Sequence, residues 1–177
     1  NRGPATFHRD ESGARVVERG GGGLVSALAG LTDHEPALWV SAAMSDEDLV
    51  VSGEHGGGSF SLPGVGNDTL GRFVTIDPAV YNAYYNVIAN PILWFIQHYL
   101  WDLSNAPDIR REEVEAWRNG YKVVNADIAE ATVKAIDGQE APVVMLHDYH
   151  LYTCPGLIRE ARPDAFLHYF VHIPWSQ

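Results

Sequence analysis

The chain has 177 residues, 46% of them hydrophobic, with 12 basic against 23 acidic residues and a net charge of −11. This length supports one domain with a real core. The acidic balance argues against a phosphate-backbone binder, which needs a dense cationic face, and so against a nucleic-acid partner, while one or two arginines can still hold a small phosphate locally.

The single cysteine, Cys154, makes no internal disulfide, and no run reaches the roughly 18 apolar residues needed to cross a bilayer. Cytoplasm is the expected compartment, with no membrane partner, and homo-oligomerisation stays open. The chain opens on Asn1 rather than methionine and stops at "HIPWSQ" directly after an apolar run, so a piece truncated at both ends is expected.

In chain order, "RVVER" reads as a short strand, followed by Gly20 to Gly23 and the apolar "LVSAL", a loop passing into a helix. "ALWVSA" (Ala37 to Ala42) and "RFVTI" (Arg72 to Ile76) read as strands, and the glycine-rich stretch from Ser52 to Asn67 between them as a turn-rich, mobile excursion. From Asp77 the chain is dense in aromatics, and Asn90-Pro91 predicts a restart, with Asn90 as N-cap and Pro91 at the first helical position. Two abutting helices follow from that.

Val114, Trp117, Tyr121, Val124 and Ile128 then recur at spacings of three and four, one buried stripe of a further helix. "PVVMLH", "CPGLIREA" and "AFLHYFVHI" complete a strand, helix and strand. The consecutive apolar positions predict strands buried on both faces of a parallel sheet, joined by a right-handed crossover. The alternation predicts an α/β, doubly wound, mostly parallel Rossmann-like fold.

In such sheets ligands bind beyond the carboxyl ends of the strands, where His147, Asp148, His150 and His172 fall. Asp148 reads either as a cap of the next helix or as a carboxylate facing a crevice. His172 reads either as a hydrogen-bonded core histidine or as a site residue. Zinc or iron ligation by this cluster is the weaker reading, because no second compact ligand pair accompanies it. No Gly-x-Ser-x-Gly elbow supports a serine hydrolase. The glycine run lacks both the dinucleotide and the P-loop spacing, and Arg2 alone is ambiguous.

The order of "NRGP", "GGGGLVSAL", "LWVSA", "YYNVIANPILWFIQHY", the stretch from Trp117 to Asn125, "HDYHL" and "FVHIP" resembles the N-terminal half of trehalose-6-phosphate synthases, retaining glycosyltransferases of two Rossmann-like domains. The resemblance covers nearly the whole chain. It implies that Arg2 contacts the phosphate of a sugar-phosphate acceptor, with Tyr85, Trp94 and Asp148 around the acceptor sugar. Gly22 and Gly23 would meet the donor. His172 would lie near the donor glucose and, with Trp94, would serve catalysis by selecting the α-anomeric product.

The implied reaction moves glucose from a nucleotide sugar such as UDP-glucose to glucose 6-phosphate with retention, without a cofactor or an active-site metal. The donor-side domain would be absent from this chain, which would be inactive alone. The ending "HIPWSQ" in place of "HIPFP" and the unusual 52–67 loop are departures. Relatives making glucosylglycerol phosphate, cyclitol pseudo-glycosyltransferases and a non-catalytic regulatory domain are the alternatives, and GDP- or ADP-glucose stay open as donors.

Overall fold

The computed structural model describes residues 2–21, 25, 28, 35–65, 68–102 and 104–174. The chain divides into two compact units, Asn1–Thr75 and Ile76–Gln177.

In the first unit, β1 (Ala5–Arg9) and β2 (Arg15–Arg19) form an antiparallel hairpin. The strand β3 (Leu38–Ala42) runs parallel to β5 (Leu70–Val74), whose other edge pairs antiparallel with β4 (Phe60–Ser61). Between β3 and β4 lies helix α1 (Asp46–Glu54), whose N-cap Ser45 accepts from Asp48 N–H and donates to the Phe7 carbonyl at 2.6 Å. The buried Asp48 carboxylate accepts from Phe7 N–H at 2.7 Å and Met44 N–H at 2.8 Å, so two polar residues fasten α1 to β1. Phe7, Phe60 and Phe73 pack ring against ring in the core, together with Val51, Leu62 and Val65.

The expected excursion over 52–67 is therefore partly ordered structure. Its first residues end α1, and Phe60, Leu62 and Val65 are core side chains. Gly56, Gly57 and Gly64 take the positive φ of its turns, while the apolar residues among them supply the burial that pins the segment. The predicted strand at Arg72 begins two residues earlier, at Leu70.

The second unit opens with α2 (Pro78–Asn82), which runs without a break into a π-helical segment (Ala83–Trp94) and α3 (Phe95–Gln97). The predicted restart at Asn90 does not occur, and Pro91 lies inside the π-helical segment. A widened turn gives the proline ring room beside the preceding carbonyls, so the helix need not stop. Asn90, instead of capping, accepts a hydrogen bond from Tyr149 Oη at 2.9 Å.

Helix α4 (Arg111–Ala116), a second π-helical turn (Trp117–Tyr121) and α5 (Lys122–Ala135) follow as one rod, with Glu113 closing the start on Arg110 N–H. Of the predicted stripe, Tyr121, Val124 and Ile128 are buried, whereas Val114 is 37% exposed. The π turn shifts the phase between the two parts.

The strand β6 (Val143–His147), helix α6 (Cys154–Ala161) and parallel strand β7 (Phe166–Phe170) form the expected βαβ unit. Burial on both faces is corrected. Val144 and Leu146 are buried, but Val143, Met145, Phe166 and Phe170 are exposed. The side chains alternate, and α6 returns over one face only.

Candidate active site at the carboxyl ends of β6 and β7

The chain leaves β6 through Asp148, whose φ of 70° and ψ of 165° lie in a region that is almost confined to glycine. Such a backbone costs about 1–3 kcal/mol and persists only where its surroundings over-determine it. They do so here. Asp148 N–H donates to the Phe170 carbonyl of β7 at 2.8 Å, and its own carbonyl accepts from Tyr169 Oη at 2.5 Å and from Leu151 N–H at 3.2 Å. The carboxylate accepts from Tyr149 N–H at 3.1 Å, so Asp148 caps the single 3₁₀ turn Tyr149–Leu151 and not α6.

The turn is held from below by α5 and the π turn before it. Tyr121 Oη donates to the Tyr149 carbonyl at 2.6 Å and accepts from Tyr152 N–H at 3.0 Å. Asn125, fully buried, donates to the carbonyls of Tyr121 and His150 and accepts from Thr153 N–H and Cys154 N–H. It thereby satisfies both the turn and the orphan amides that open α6. Burial pushes the Cys154 thiol up to about 12, which keeps it a protonated core group.

His172 follows β7 by two residues, and its Nε2 lies 3.1 Å from His147 Nδ1. Partial burial, and next the neighbouring His172, hold His147 below the ordinary histidine range. Parallel pairing of β6 with β7, which the sequence pattern predicts, brings the His147–Asp148 end beside His172.

Tyr85 and Trp94 both stand on the π-helical segment. The Tyr85 ring stacks on His150 at 5.6 Å and 13°, and on Tyr81 at 5.7 Å and 13°, which brings it against the turn. Trp94 is 39% exposed and packs on His98 at 4.1 Å. It lies between Asn90 and Gln97, which bond to Tyr149 and Tyr152, but no contact joins its own ring to Asp148 or His172. Arg2 belongs to the first unit, where it bridges Ala42 at the carboxyl end of β3. Gly22 and Gly23, and most of the helix expected after them, lie outside the described residues.

The structure thus brings Tyr85 against the turn that Asp148 opens, and His172 against His147 at the end of β6. Sequence reasoning missed Asn90 and Tyr169 as supports and read Tyr121 only as a core residue. A signal existed in Asn125, a polar side chain four residues after Tyr121 and three before Ile128 on the buried stripe. Among the described residues no helix is long and apolar enough to cross a membrane, and no three His, Cys, Asp or Glu side chains are grouped for a metal ion.

The family model of glycosyltransferase family 20 matches residues 1–177. Validamine 7-phosphate valienyltransferase of Streptomyces hygroscopicus is 32% identical over 97% of this chain and 33% of its own length. Trehalose-6-phosphate synthase of Mycolicibacterium smegmatis is 33% identical over 99% of this chain and 31% of its own. The chain spans about a third of the length of the curated relatives it matches. A solved E. coli structure bound with UDP-2-fluoro glucose is 22% identical with a TM-score of 0.64, over 89% of this chain and 31% of that one. The α/β, Rossmann-like fold is shared with it.

Proposed function

The chain belongs to glycosyltransferase family 20, and from that premise we propose that it forms the N-terminal, acceptor-side domain of a retaining hexosyltransferase of the trehalose-6-phosphate synthase type. The observation that carries this reading is the strained Asp148, held on β7 beside His172. Strain of that kind concentrates where a side chain must be presented to a ligand.

In the proposed reaction the bond from C1 of glucose to the diphosphate breaks and a bond from C1 to the acceptor hydroxyl forms on the same face. The acceptor proton passes to the leaving phosphate oxygen, so no pair of catalytic carboxylates is required. Asp148 accepts hydroxyls of the acceptor sugar, Tyr85 covers a sugar face, and Arg2 pairs with the acceptor phosphate, each by chemistry suited to the group. His172 and Trp94 are assigned to the donor-glucose side and Gly22 and Gly23 to the donor, as the resemblance to the family implies. The residues that grip the diphosphate are assigned to a second, C-terminal domain.

UDP-glucose and glucose 6-phosphate are the substrates of this reading. The UDP-2-fluoro glucose of the E. coli neighbour and the name of the M. smegmatis relative support it. The 32% identity to validamine 7-phosphate valienyltransferase favours a second reading, in which the same crevice takes cyclitol substrates. The test is steady-state turnover by the full-length protein, offering UDP-glucose with glucose 6-phosphate and, separately, a nucleotide-linked cyclitol with a cyclitol phosphate. Release of UDP with trehalose 6-phosphate, lost in Asp148→Ala and His172→Ala of normal fold, is expected. Turnover of the cyclitol pair alone selects the second reading, and wild-type rates in both variants would refute the site.

A further inference from the structure

The hydrogen bond between His147 Nδ1 and His172 Nε2 has a chemical consequence, because two neutral imidazoles can share one only if a single nitrogen of the pair carries the proton. If His147 Nδ1 is the donor, His172 must carry its own proton on Nδ1, and both rings are Nδ1–H tautomers. If His172 Nε2 is the donor, both rings are Nε2–H, the form an unconstrained histidine side chain prefers. The second arrangement requires no tautomer change of either ring.

His172 is exposed, and the ring contacts of the pair come from the two strand ends. The ring centroids are 5.3 Å apart at 33°, and Phe170, the register partner of His147, meets His172 edge to face at 4.7 Å and 63°. Asp148 and His168 are the charged or titratable neighbours on these two strand ends that act on His147.

We propose that His147 is the positioning residue of His172. It accepts the His172 Nε2–H, fixes that ring in one tautomer, and leaves His172 Nδ1 bare as a hydrogen-bond acceptor for a hydroxyl of the donor sugar. This rests on the reading of His172 as a donor-side residue, and it assigns His147 a part beyond shaping the turn. A partner that sets which nitrogen of a working imidazole is protonated governs what that imidazole can bind.

The test is two-bond proton–nitrogen correlation spectroscopy on the nitrogen-15-labelled chain at about pH 8.5, above the histidine titration range. The expected His172 signals are a protonated Nε2 and a bare Nδ1, in a single tautomer. His147→Phe should leave His172 averaging between tautomers, and His147→Asn, whose Oδ1 takes the acceptor place of Nδ1, should restore the fixed form. A wild-type His172 protonated on Nδ1, or a His172 spectrum unchanged in His147→Phe, overturns the proposal.

These readouts need no substrate. Absence of hexosyl transfer by the full-length wild type would sink the proposed function and the sugar contact with it, while the tautomer measurement still decides whether His147 sets His172. In an active full-length protein His147→Phe should lower kcat/KM about 10- to 100-fold with recovery in His147→Asn, as expected for a misplaced reacting-site group. Unchanged kcat/KM in His147→Phe would count against the assignment.

Discussion

Asn125 Nδ2 donates to the His150 carbonyl at 3.0 Å, so one buried amide on α5 fixes the turn that carries Asp148. The same side chain accepts the Thr153 and Cys154 amides, and its replacement strands groups on both sides. Asn125→Ala should destabilise the chain by about 3 kcal/mol, the scale expected when buried partners lose their bonds. The urea midpoint measures it, and a loss below about 1 kcal/mol would mean that water or rearrangement supplies the bonds.

Gly120 sits where the two π-helical segments meet. A Cβ there would lie 2.6 Å from Ala83 Cβ and 2.8 Å from Tyr84 N, whereas one at Gly53 of α1 meets nothing within 4 Å. Opposite signs are expected. Gly120→Ala should cost about 1–3 kcal/mol by overpacking, and Gly53→Ala should gain up to about 1 kcal/mol through helix propensity. Thermal unfolding of the two variants checks the pair, and equal effects would contradict the packing at Gly120.

The βαβ unit at the end of the chain was legible because its strands, crossover and strand-end histidines lie close together in sequence, and parallel pairing then puts His147 beside His172. Asn90-Pro91 misled because local propensity cannot register a π turn, whose extra width is set by packing against Gly120 and Tyr121. Phe60, Leu62 and Val65 were hidden among glycines, since burial of isolated apolar residues in a turn-rich stretch follows from tertiary contacts. The strain at Asp148 was equally hidden. It arises from the Phe170 and Tyr169 bonds, which a one-dimensional pattern does not carry.

His147 predicts a pH dependence whose sign can be worked out. Burial, then His172, depress its folded value from the ordinary 6.5. Above 6.5 the group is neutral in both states; between 6.5 and the lower folded value the unfolded chain holds a proton that the folded chain does not. Stability from this group is therefore lost as pH falls through that window and levels off below it. Urea midpoints from about pH 8 to pH 5 should decline less steeply in His147→Asn than in the wild type. Parallel curves would show that His147 takes up its proton equally in both states.

At Asp148 strain and function separate by substitution. Glycine tolerates a φ of 70° with a ψ of 165°, and alanine does not, while both lose the cap on Tyr149 N–H. Asp148→Gly should therefore be more stable than Asp148→Ala by about 1–3 kcal/mol, the cost of the glycine-only backbone region. Asp148→Asn keeps an oxygen for the cap and should stay near wild-type stability, yet in the full-length protein all three should lose most of kcat/KM, because each removes the charge offered to the acceptor hydroxyls. An alanine variant as stable as the glycine one would remove the strain argument. Normal turnover in Asp148→Asn would instead show that the site does not use the carboxylate charge.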